Sequence, residues 1–151
     1  MTFGFLTTGV PGLAVVAFFD FWSERIRRRS LRRFCAEIEQ SSTPAAVGDV
    51  FVRLWCVNLA FLRAWGLSNS TEVRGRWFFE FLEDTERERC AEIYRCLQTG
   101  RTWEGRLVAR RRAAAPALEL TVKVAPYPGT GFARWTFLPG GLPSGWPAAN
   151  R

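Results

Sequence analysis

The sequence that decides the fold begins at Gly75-Arg-Trp-Phe-Phe-Glu-Phe-Leu82, continues through Asp84 to Leu97, and reaches Gly100-Arg-Thr-Trp-Glu-Gly105. Its first segment predicts a short helix that turns Trp77, Phe78 and Phe81 inward. An aromatic cluster of this kind belongs to a hydrophobic core far more often than to a cofactor site. The stretch therefore predicts a helical layer that must cover the apolar face of a sheet.

A longer helix and three strands follow this segment. Thr85 and Glu88 have the spacing of a capping box, and the helix that they open should end at Gly100. Apolar residues alternate with polar ones from Trp103 to Ala109 and again from Leu118 to Val124, which indicates half-buried strands. A turn at 126–131 leads to a third strand, 132–138. The connection between the first two strands, residues 110–116, is basic and then Ala-rich. The three strands should form an antiparallel meander with one face exposed to solvent.

The segment before Gly75 predicts a linker, a strand and a short capped helix. Ser41-Ser-Thr-Pro44 should break the preceding helix, and Gly48-Asp49 offers a turn, so we place the domain boundary here. Val50–Val57 is β-branched and aromatic, which favours a strand, although its apolar residues fall on both faces. Asn58 can cap the next helix through its side-chain oxygen, and Gly66 can end it in the left-handed conformation.

The ordered set of elements over residues 50–138 resembles a PAS domain. In that family a strand ends in Asn, a short helix with a central aromatic follows, and the helix closes on Gly; Asn58, Phe61 and Gly66 stand at those places. The resemblance implies an α+β fold, with an antiparallel sheet of about five strands and short helices on one face. It departs from the family in two places: the first strand looks degenerate, since 45–57 has little room for two strands, and no Asp-Gly-like turn stands at 110–116.

Family resemblance also implies a sensor or protein-interaction module that is not an enzyme. No Asn-Cys-Arg-Phe signature of the flavin-binding members stands near residues 75–82, and the chain has no His to ligate haem. Flavin and His-ligated haem are therefore disfavoured, and the cofactor is unknown. Any ligand would occupy a pocket between sheet and helices, lined by Phe61, Trp77, Phe81, Leu107, Leu120, Val122 and Trp135.

The N-terminal segment is not explained by the PAS pattern. Residues 3–22 carry one charge, Asp20, and this length is at the short limit of what crosses a bilayer. Three alternatives stay open: a membrane anchor or interfacial helix, a helix packed on its own domain or on a dimer partner, or a disordered leader. An amphipathic helix should follow, with the densest basic cluster of the chain on it as a candidate contact for lipid headgroups or phosphate: Arg25, Arg27, Arg28, Arg29, Arg32 and Arg33.

Composition narrows the function classes. The chain has 151 residues, no His and a formal charge of +7, so catalysis by a His-containing triad and most catalytic zinc sites are excluded. Four cysteines without a CxxC pair favour buried or free thiols in a reducing compartment. We expect four segments: an apolar leader (1–22), a basic helix and linker (23–47), a PAS-like domain (48–139) and a flexible tail (140–151).

These observations favour a sensory or interaction module of signal transduction. It would act in the cytoplasm, with residues 3–22 as its candidate link to a membrane, and work through another signalling protein or a second copy. The alternative is a basic nucleic-acid-binding protein that uses its arginine clusters, because a surplus of Arg attracts phosphates.

Overall fold

The fold is one antiparallel sheet with short helices on one face and a long helix on the other. A computed structural model describes the backbone of residues 11–111 and 117–139, and the side chains of 22–111 and 117–138. The principal elements, in chain order, are α1 (Pro11–Glu39), β1 (Ala45–Asp49), β2 (Leu54–Val57), α2 (Leu59–Trp65), α3 (Arg87–Gln98), β3 (Trp103–Ala109), β4 (Leu118–Tyr127) and β5 (Phe132–Pro139). Three short 3-10 turns lie between α2 and α3: Ser70–Glu72, Phe78–Phe81 and Asp84–Glu86.

The sheet has the strand order β2-β1-β5-β4-β3, and all of its neighbouring strands are antiparallel. The predicted meander is confirmed: Leu107 pairs with Leu120, and Val124 pairs with Trp135. All four of these side chains are buried. Alternation places such residues on the face covered by α2, α3 and the 3-10 turns, where the larger core cluster lies. The α+β fold with five strands therefore agrees with the sequence analysis.

The prediction for the start of the domain was wrong in its boundaries. The structure has two strands, and β1 is not degenerate: its five residues are all buried, between β2 and β5. Gly48 lies inside β1 because the sheet needs a residue without a side chain there. A Cβ at Gly48 would lie 2.8 Å from the Arg53 carbonyl oxygen and 2.9 Å from Trp135 Nε1. The sheet therefore begins at Ala45, within what we had taken as linker.

The turn between β1 and β2 is built around the buried carboxylate of Asp49. Its Oδ1 accepts hydrogen bonds from the backbone N–H groups of Phe51 (2.9 Å) and Arg53 (3.1 Å). Its Oδ2 accepts one from Trp55 Nε1 at 2.9 Å. Three donors compensate the loss of water at this carboxylate, which is only 2% exposed. The predicted turn residue therefore acts through its side chain, at the end of a strand.

Two local predictions in the helical layer were also wrong. Phe78–Phe81 is a 3-10 turn in which Phe78 and Phe81 are buried, whereas Trp77 precedes the turn and is only half-buried. The predicted capping box at Thr85 is not formed, since α3 begins at Arg87 after another 3-10 turn and its N-cap, Glu86, makes no side-chain cap hydrogen bond. Spacing alone could not show that a 3-10 turn occupies the place of the first helical turn.

The C-terminal half of α1 covers the other face of the sheet. Phe34 and Ile38 are buried there in a second cluster with Ala45, Val47 and Phe132. Phe34 also stacks on Tyr127, with ring centroids 3.6 Å apart. Among the helices of the described residues, none combines the length and apolar character that crossing a bilayer requires.

A disulfide between Cys35 and Cys56 joins α1 to β2. Our expectation of free thiols was therefore wrong for these two residues and holds for Cys90 and Cys96. Spacing could not pair Cys35 with Cys56, because only the docking of α1 on the sheet brings their Cα atoms to 6.0 Å. The inference of a reducing compartment loses its basis with this pairing.

Some predicted features lie outside the described residues. These are residues 3–10 of the apolar leader, residues 112–116 of the connection between β3 and β4, and the tail 140–151.

Candidate functional site

Six of the seven residues predicted to line a pocket lie together between the sheet and the helices. They belong to the larger core cluster, and each is at most 6% exposed: Phe61, Phe81, Leu107, Leu120, Val122 and Trp135. They come from α2, a 3-10 turn, β3, β4 and β5. The tertiary structure thus places on one inner face residues that are as much as 74 positions apart, from Phe61 to Trp135.

Aromatic rings pack against one another in this layer. Phe61 stacks on Trp65 with centroids 4.0 Å apart, and Phe137 meets these two rings edge-on at 5.3 and 5.0 Å. Phe78 lies 4.5 Å from Trp135 on the same face. At these distances the rings are one another's packing partners. Their visible role is to hold α2 and the 3-10 turn on the sheet, and a ligand there stays a prediction.

Two indole N–H groups in this layer have different surroundings. Trp65 Nε1 donates a hydrogen bond to the Phe81 carbonyl oxygen at 3.2 Å. Trp135 Nε1 is buried and has no hydrogen-bond partner among the described residues. It lies over Gly48, at the close approach described above. A buried donor without a partner costs free energy, and the apolar area that the Trp135 ring buries offsets this cost.

Trp77, the seventh predicted residue, does not join the pocket-lining set. Its ring stacks on Phe79 at 5.9 Å, and the guanidinium of Arg53 lies 4.5 Å from its centroid. Phe79 is 50% exposed. The physical reason is the 3-10 geometry: a turn with three residues per turn buries Phe78 and Phe81, which leaves Trp77 and Phe79 toward solvent.

Asn58 connects three parts of the molecule through one buried amide. Its Oδ1 accepts hydrogen bonds from the backbone N–H groups of Ala45 and Phe61, both at 3.0 Å. Its Nδ2 donates to the carbonyl oxygens of Ile38 (3.1 Å) and Thr43 (2.8 Å), and also to that of Ser41 (3.1 Å). The N-cap of α2 therefore also fixes the end of α1 and the start of β1.

The six arginines proposed as lipid or phosphate contacts all lie exposed on α1. Arg28 bonds Glu24 at 2.8 Å, and Arg33 lies 4.0 Å from Glu37. The guanidinium of Arg27 lies 5.3 Å from the ring centroid of Phe132. The other three make no ion pair with any described residue: Arg25, Arg29 and Arg32. This side of the helix is therefore positive as well as exposed.

Exposed apolar side chains stand within this positive surface. Trp22 is 54% exposed and Ile26, one helical turn later, is 52% exposed. Together with Arg25 and Arg29 they line one shallow depression on α1. We call these four residues the α1 outer patch. Further along α1, the apolar side chains of Phe34 and Ile38 are instead buried on the sheet.

A groove separates α1 from β2 and has a basic rim. Its volume is about 530 Å³, and its lining includes Arg28 and Arg32 of α1, Arg74 beyond the first 3-10 turn, and the side chains of Leu31 and Trp55. Trp55 and Arg74 were not among the predicted site residues. The spacing of a chain cannot reveal them, because only the docking of α1 brings them beside its arginines.

Burial perturbs two titratable groups. It raises the pKa of the Cys90 thiol to about 11, with a smaller contribution from the negative charge of Glu86. It also raises the pKa of Tyr127, beside Glu37. A thiol of this kind is protonated at neutral pH and is a poor nucleophile. Within the described parts of the chain, no three Cys, Asp or Glu side chains are grouped so as to hold a metal ion.

Known structures share this architecture. The chain is similar to the LOV protein of Rhodobacter sphaeroides (TM-score 0.64, 20% identity, 75% of this chain and 68% of that one). It is also similar to the PAS domain of an HTR-like protein from Haloarcula marismortui (TM-score 0.56, 18% identity, 78% and 97%). A domain of a sensory box sensor histidine kinase/response regulator from Geobacter sulfurreducens matches with a TM-score of 0.60 at 14% identity (72% and 93%). No protein-family model matches the sequence, and no curated protein matches it significantly.

The chain therefore has a PAS fold, the architecture that these solved LOV and PAS domains also have. At these identities the likeness establishes the fold, and activity must be argued from the sites themselves. The expectation against flavin and His-ligated haem stays a prediction.

Proposed function

We propose that this chain is a sensory or protein-interaction module of signal transduction, without enzymatic activity of its own, that works through a partner protein or a second copy. The observation that carries the proposal is the two-part use of α1. Its C-terminal half is clamped to the sheet by Phe34, Ile38 and the Cys35–Cys56 disulfide. Its middle part, residues 22–29, presents the α1 outer patch to solvent.

Exposed Trp and Ile side chains on a helix are a common way to build a helix–helix contact. If a second copy is the partner, substitution of Trp22 and Ile26 by Ser should reduce self-association. We would measure the oligomeric state by sedimentation equilibrium over a wide range of concentrations. Tyr94→Ser is the matched control, because Tyr94 is also an exposed aromatic (42%) and lies on α3. Equal loss of self-association in both variants would contradict this use of the patch.

We further propose that the α1 outer patch lies in the interface of an anionic membrane, on its cytoplasmic face. The support is the mixture of exposed Trp22 and Ile26 with Arg25 and Arg29, which make no ion pair with the described residues; this is the composition of interfacial helices. Flotation with anionic and with neutral vesicles tests the proposal. The wild type should float with anionic vesicles, the Trp22→Ser/Ile26→Ser variant should not, and Tyr94→Ser should behave as the wild type. Flotation that is equal on neutral vesicles would refute the headgroup contact.

The cytoplasmic location has its own test in the redox state of the Cys35–Cys56 pair. Stable disulfides are rare in reducing compartments. Alkylation of free thiols in intact cells, followed by mass spectrometry, would show which state is present. A fully oxidised pair would count against the cytoplasm, whereas a reduced or mixed pair would agree with it.

The alternative function is nucleic-acid binding through the same arginines. It predicts an affinity that falls steeply with salt, since each neutralised phosphate releases counterions. Filter binding of single-stranded RNA at several salt concentrations separates the two. Absent binding at low salt would remove this alternative.

A further inference from the structure

The groove between α1 and β2 has features of a binding site that the signalling proposal does not use. Leu31 and Trp55 form its apolar part and also pack against the outer-face core. The Trp55 ring is held in place because its Nε1 donates to Asp49 at 2.9 Å. Its polar atom is thereby satisfied inside the protein, and an apolar surface remains for the groove.

Positive charge surrounds this apolar surface. The lining contains four arginines, Arg27, Arg28, Arg32 and Arg74, and one acid, Glu24, which gives 4 − 1 = +3. Glu24 is engaged by Arg28 at 2.8 Å. Arg32 and Arg74 make no ion pair with any described residue. They come from separate elements, so a ligand between them would be held from two sides.

The groove is preformed by covalent and apolar contacts close to it. Cys35 follows Arg32 by one turn of α1, Cys56 directly follows Trp55, and the disulfide between them joins the two walls. Phe34 adds its packing on Tyr127. A site whose walls are already in place does not lose free energy to ordering them when a ligand binds.

We propose that this groove binds a phosphate ester that carries an apolar or aromatic group. Guanidinium groups bind phosphate oxygens in a bidentate manner, and a phosphate dianion complements the local charge better than a single carboxylate does. Arg32 and Arg74 hold the phosphate, and Trp55 with Leu31 contacts the apolar part. The volume of about 530 Å³ is in the range of small-molecule sites. The proposal does not rest on the signalling or membrane proposals, because no residue of the α1 outer patch lines this groove.

Two sources could supply this chemistry: a soluble nucleotide, or the headgroup of a phospholipid. The test therefore titrates the full, oxidised chain with AMP, with inorganic phosphate and with vesicles containing phosphatidic acid. Calorimetry and vesicle sedimentation measure affinity, and the indole N–H signal of Trp55 in an NMR spectrum reports contact in the groove. We expect AMP or the phosphatidic acid vesicles to bind at least about tenfold more tightly than inorganic phosphate and to shift the Trp55 signal.

A pair of variants separates a site from general attraction to a basic protein. Arg32→Gln with Arg74→Gln removes two groove charges, and Arg63→Gln with Arg89→Gln removes two exposed charges from α2 and α3. We expect the groove pair to weaken binding by about tenfold or more and the control pair by less than about twofold. AMP binding identifies a soluble ligand, and binding to vesicles alone identifies a headgroup.

Three results would overturn the proposal. The first is an equal loss in the groove and control pairs, which would mean non-specific charge attraction. The second is an affinity for AMP and for vesicles no greater than that for inorganic phosphate. The third is a Trp55 signal that does not move when the protein is saturated, which needs no variant and therefore stands even if the groove pair folds poorly.

Discussion

Replacing Asn58 with Ala should destabilise the protein strongly, because this one buried amide makes hydrogen bonds to α1, β1 and α2. The variant loses the N-cap of α2, which costs about 1 kcal/mol. It also leaves the buried N–H of Ala45 without its partner, and an unsatisfied buried donor costs about 1–3 kcal/mol. The backbone carbonyl oxygens that accept from Asn58 Nδ2 lose less, because that of Ile38 still accepts a hydrogen bond from the Ser41 N–H at 3.1 Å. The total loss is about 3 kcal/mol in the free energy of unfolding, or about 10 °C in Tm.

Urea unfolding followed by tryptophan fluorescence measures this loss, and Asn69→Ala is its control. Asn69 also caps a helical turn, Ser70–Glu72, by accepting from the Thr71 N–H at 2.9 Å, but it is exposed. Water can replace that hydrogen bond, so the control should cost less than about 1 kcal/mol. If Asn58→Ala is no more destabilising than Asn69→Ala, the claim that one buried amide joins α1, β1 and α2 is refuted.

Asn58→Asp tests the same reasoning by charge. The introduced carboxyl would replace a donating amide that faces three carbonyl oxygens, including those of Ile38 and Thr43. Burial and these oxygens should raise its pKa in the folded state above that in the unfolded state. The stability of this variant relative to wild type should therefore be lowest at neutral pH and recover as the pH falls and the group protonates. A deficit that is independent of pH would contradict this orientation of the amide.

Three further outcomes are expected. Reduction of the Cys35–Cys56 disulfide, which joins residues 21 positions apart, should lower the free energy of unfolding by about 3 kcal/mol. Urea unfolding with and without reductant measures this difference. The Cys35→Ser/Cys56→Ser variant is the control, and its stability should not depend on the reductant. Alkylation of Cys90 by iodoacetamide, followed by mass spectrometry, should reach half of its maximal rate near pH 11, because burial raises the pKa of this thiol to about 11. The raised folded-state pKa also means that this thiol's contribution to stability is fully present at neutral pH and is lost progressively as the pH rises from about 8.5 to about 11. A midpoint near pH 8.5 would show that the thiol is not buried. Gly48→Ala should lower the free energy of unfolding by about 2–3 kcal/mol, because the added Cβ would lie 2.8 Å from the backbone carbonyl oxygen of Arg53. Gly75→Ala should lower it by only about 1 kcal/mol, because the added Cβ meets no atom within 4 Å and the only penalty is the φ of +77°, which Ala disfavours. Equal losses of stability in thermal unfolding would be inconsistent with the close packing at Gly48.

Predictions of secondary structure were confirmed where the sequence pattern reflects the geometry of a single strand or helix. Alternation from Trp103 to Ala109 placed β3, because the side-chain period of a strand is a property of its own backbone. Asn58 and Gly66 flank α2 in the structure, with Gly66 at φ 69°. The PAS resemblance rested on such segments in order, and the strand order of the sheet agrees with it.

The wrong predictions concern residues whose type and spacing fit more than one local structure. Gly48-Asp49 looked like a turn and proved to be the end of a buried strand, because Gly48 makes room for Trp135. Thr85 had capping-box spacing, but a 3-10 turn precedes α3 there. Trp77 was expected in the core and lies beside Arg53 instead. In each case residue type alone was compatible with two environments.

The amino-acid sequence by itself determined that this chain forms a helical layer over a meander, because periodicity and capping act over a few residues. It also determined the dense run of arginines on one helix. Only the tertiary structure decided that this helix docks on the back of the sheet, that Cys35 reaches Cys56, and that Arg74 and Trp55 complete a groove with Arg32. The reason is that these contacts join segments from 21 positions apart, Cys35 to Cys56, to 98 positions apart, Phe34 to Phe132, so their formation depends on how the apolar faces of separate elements pack together.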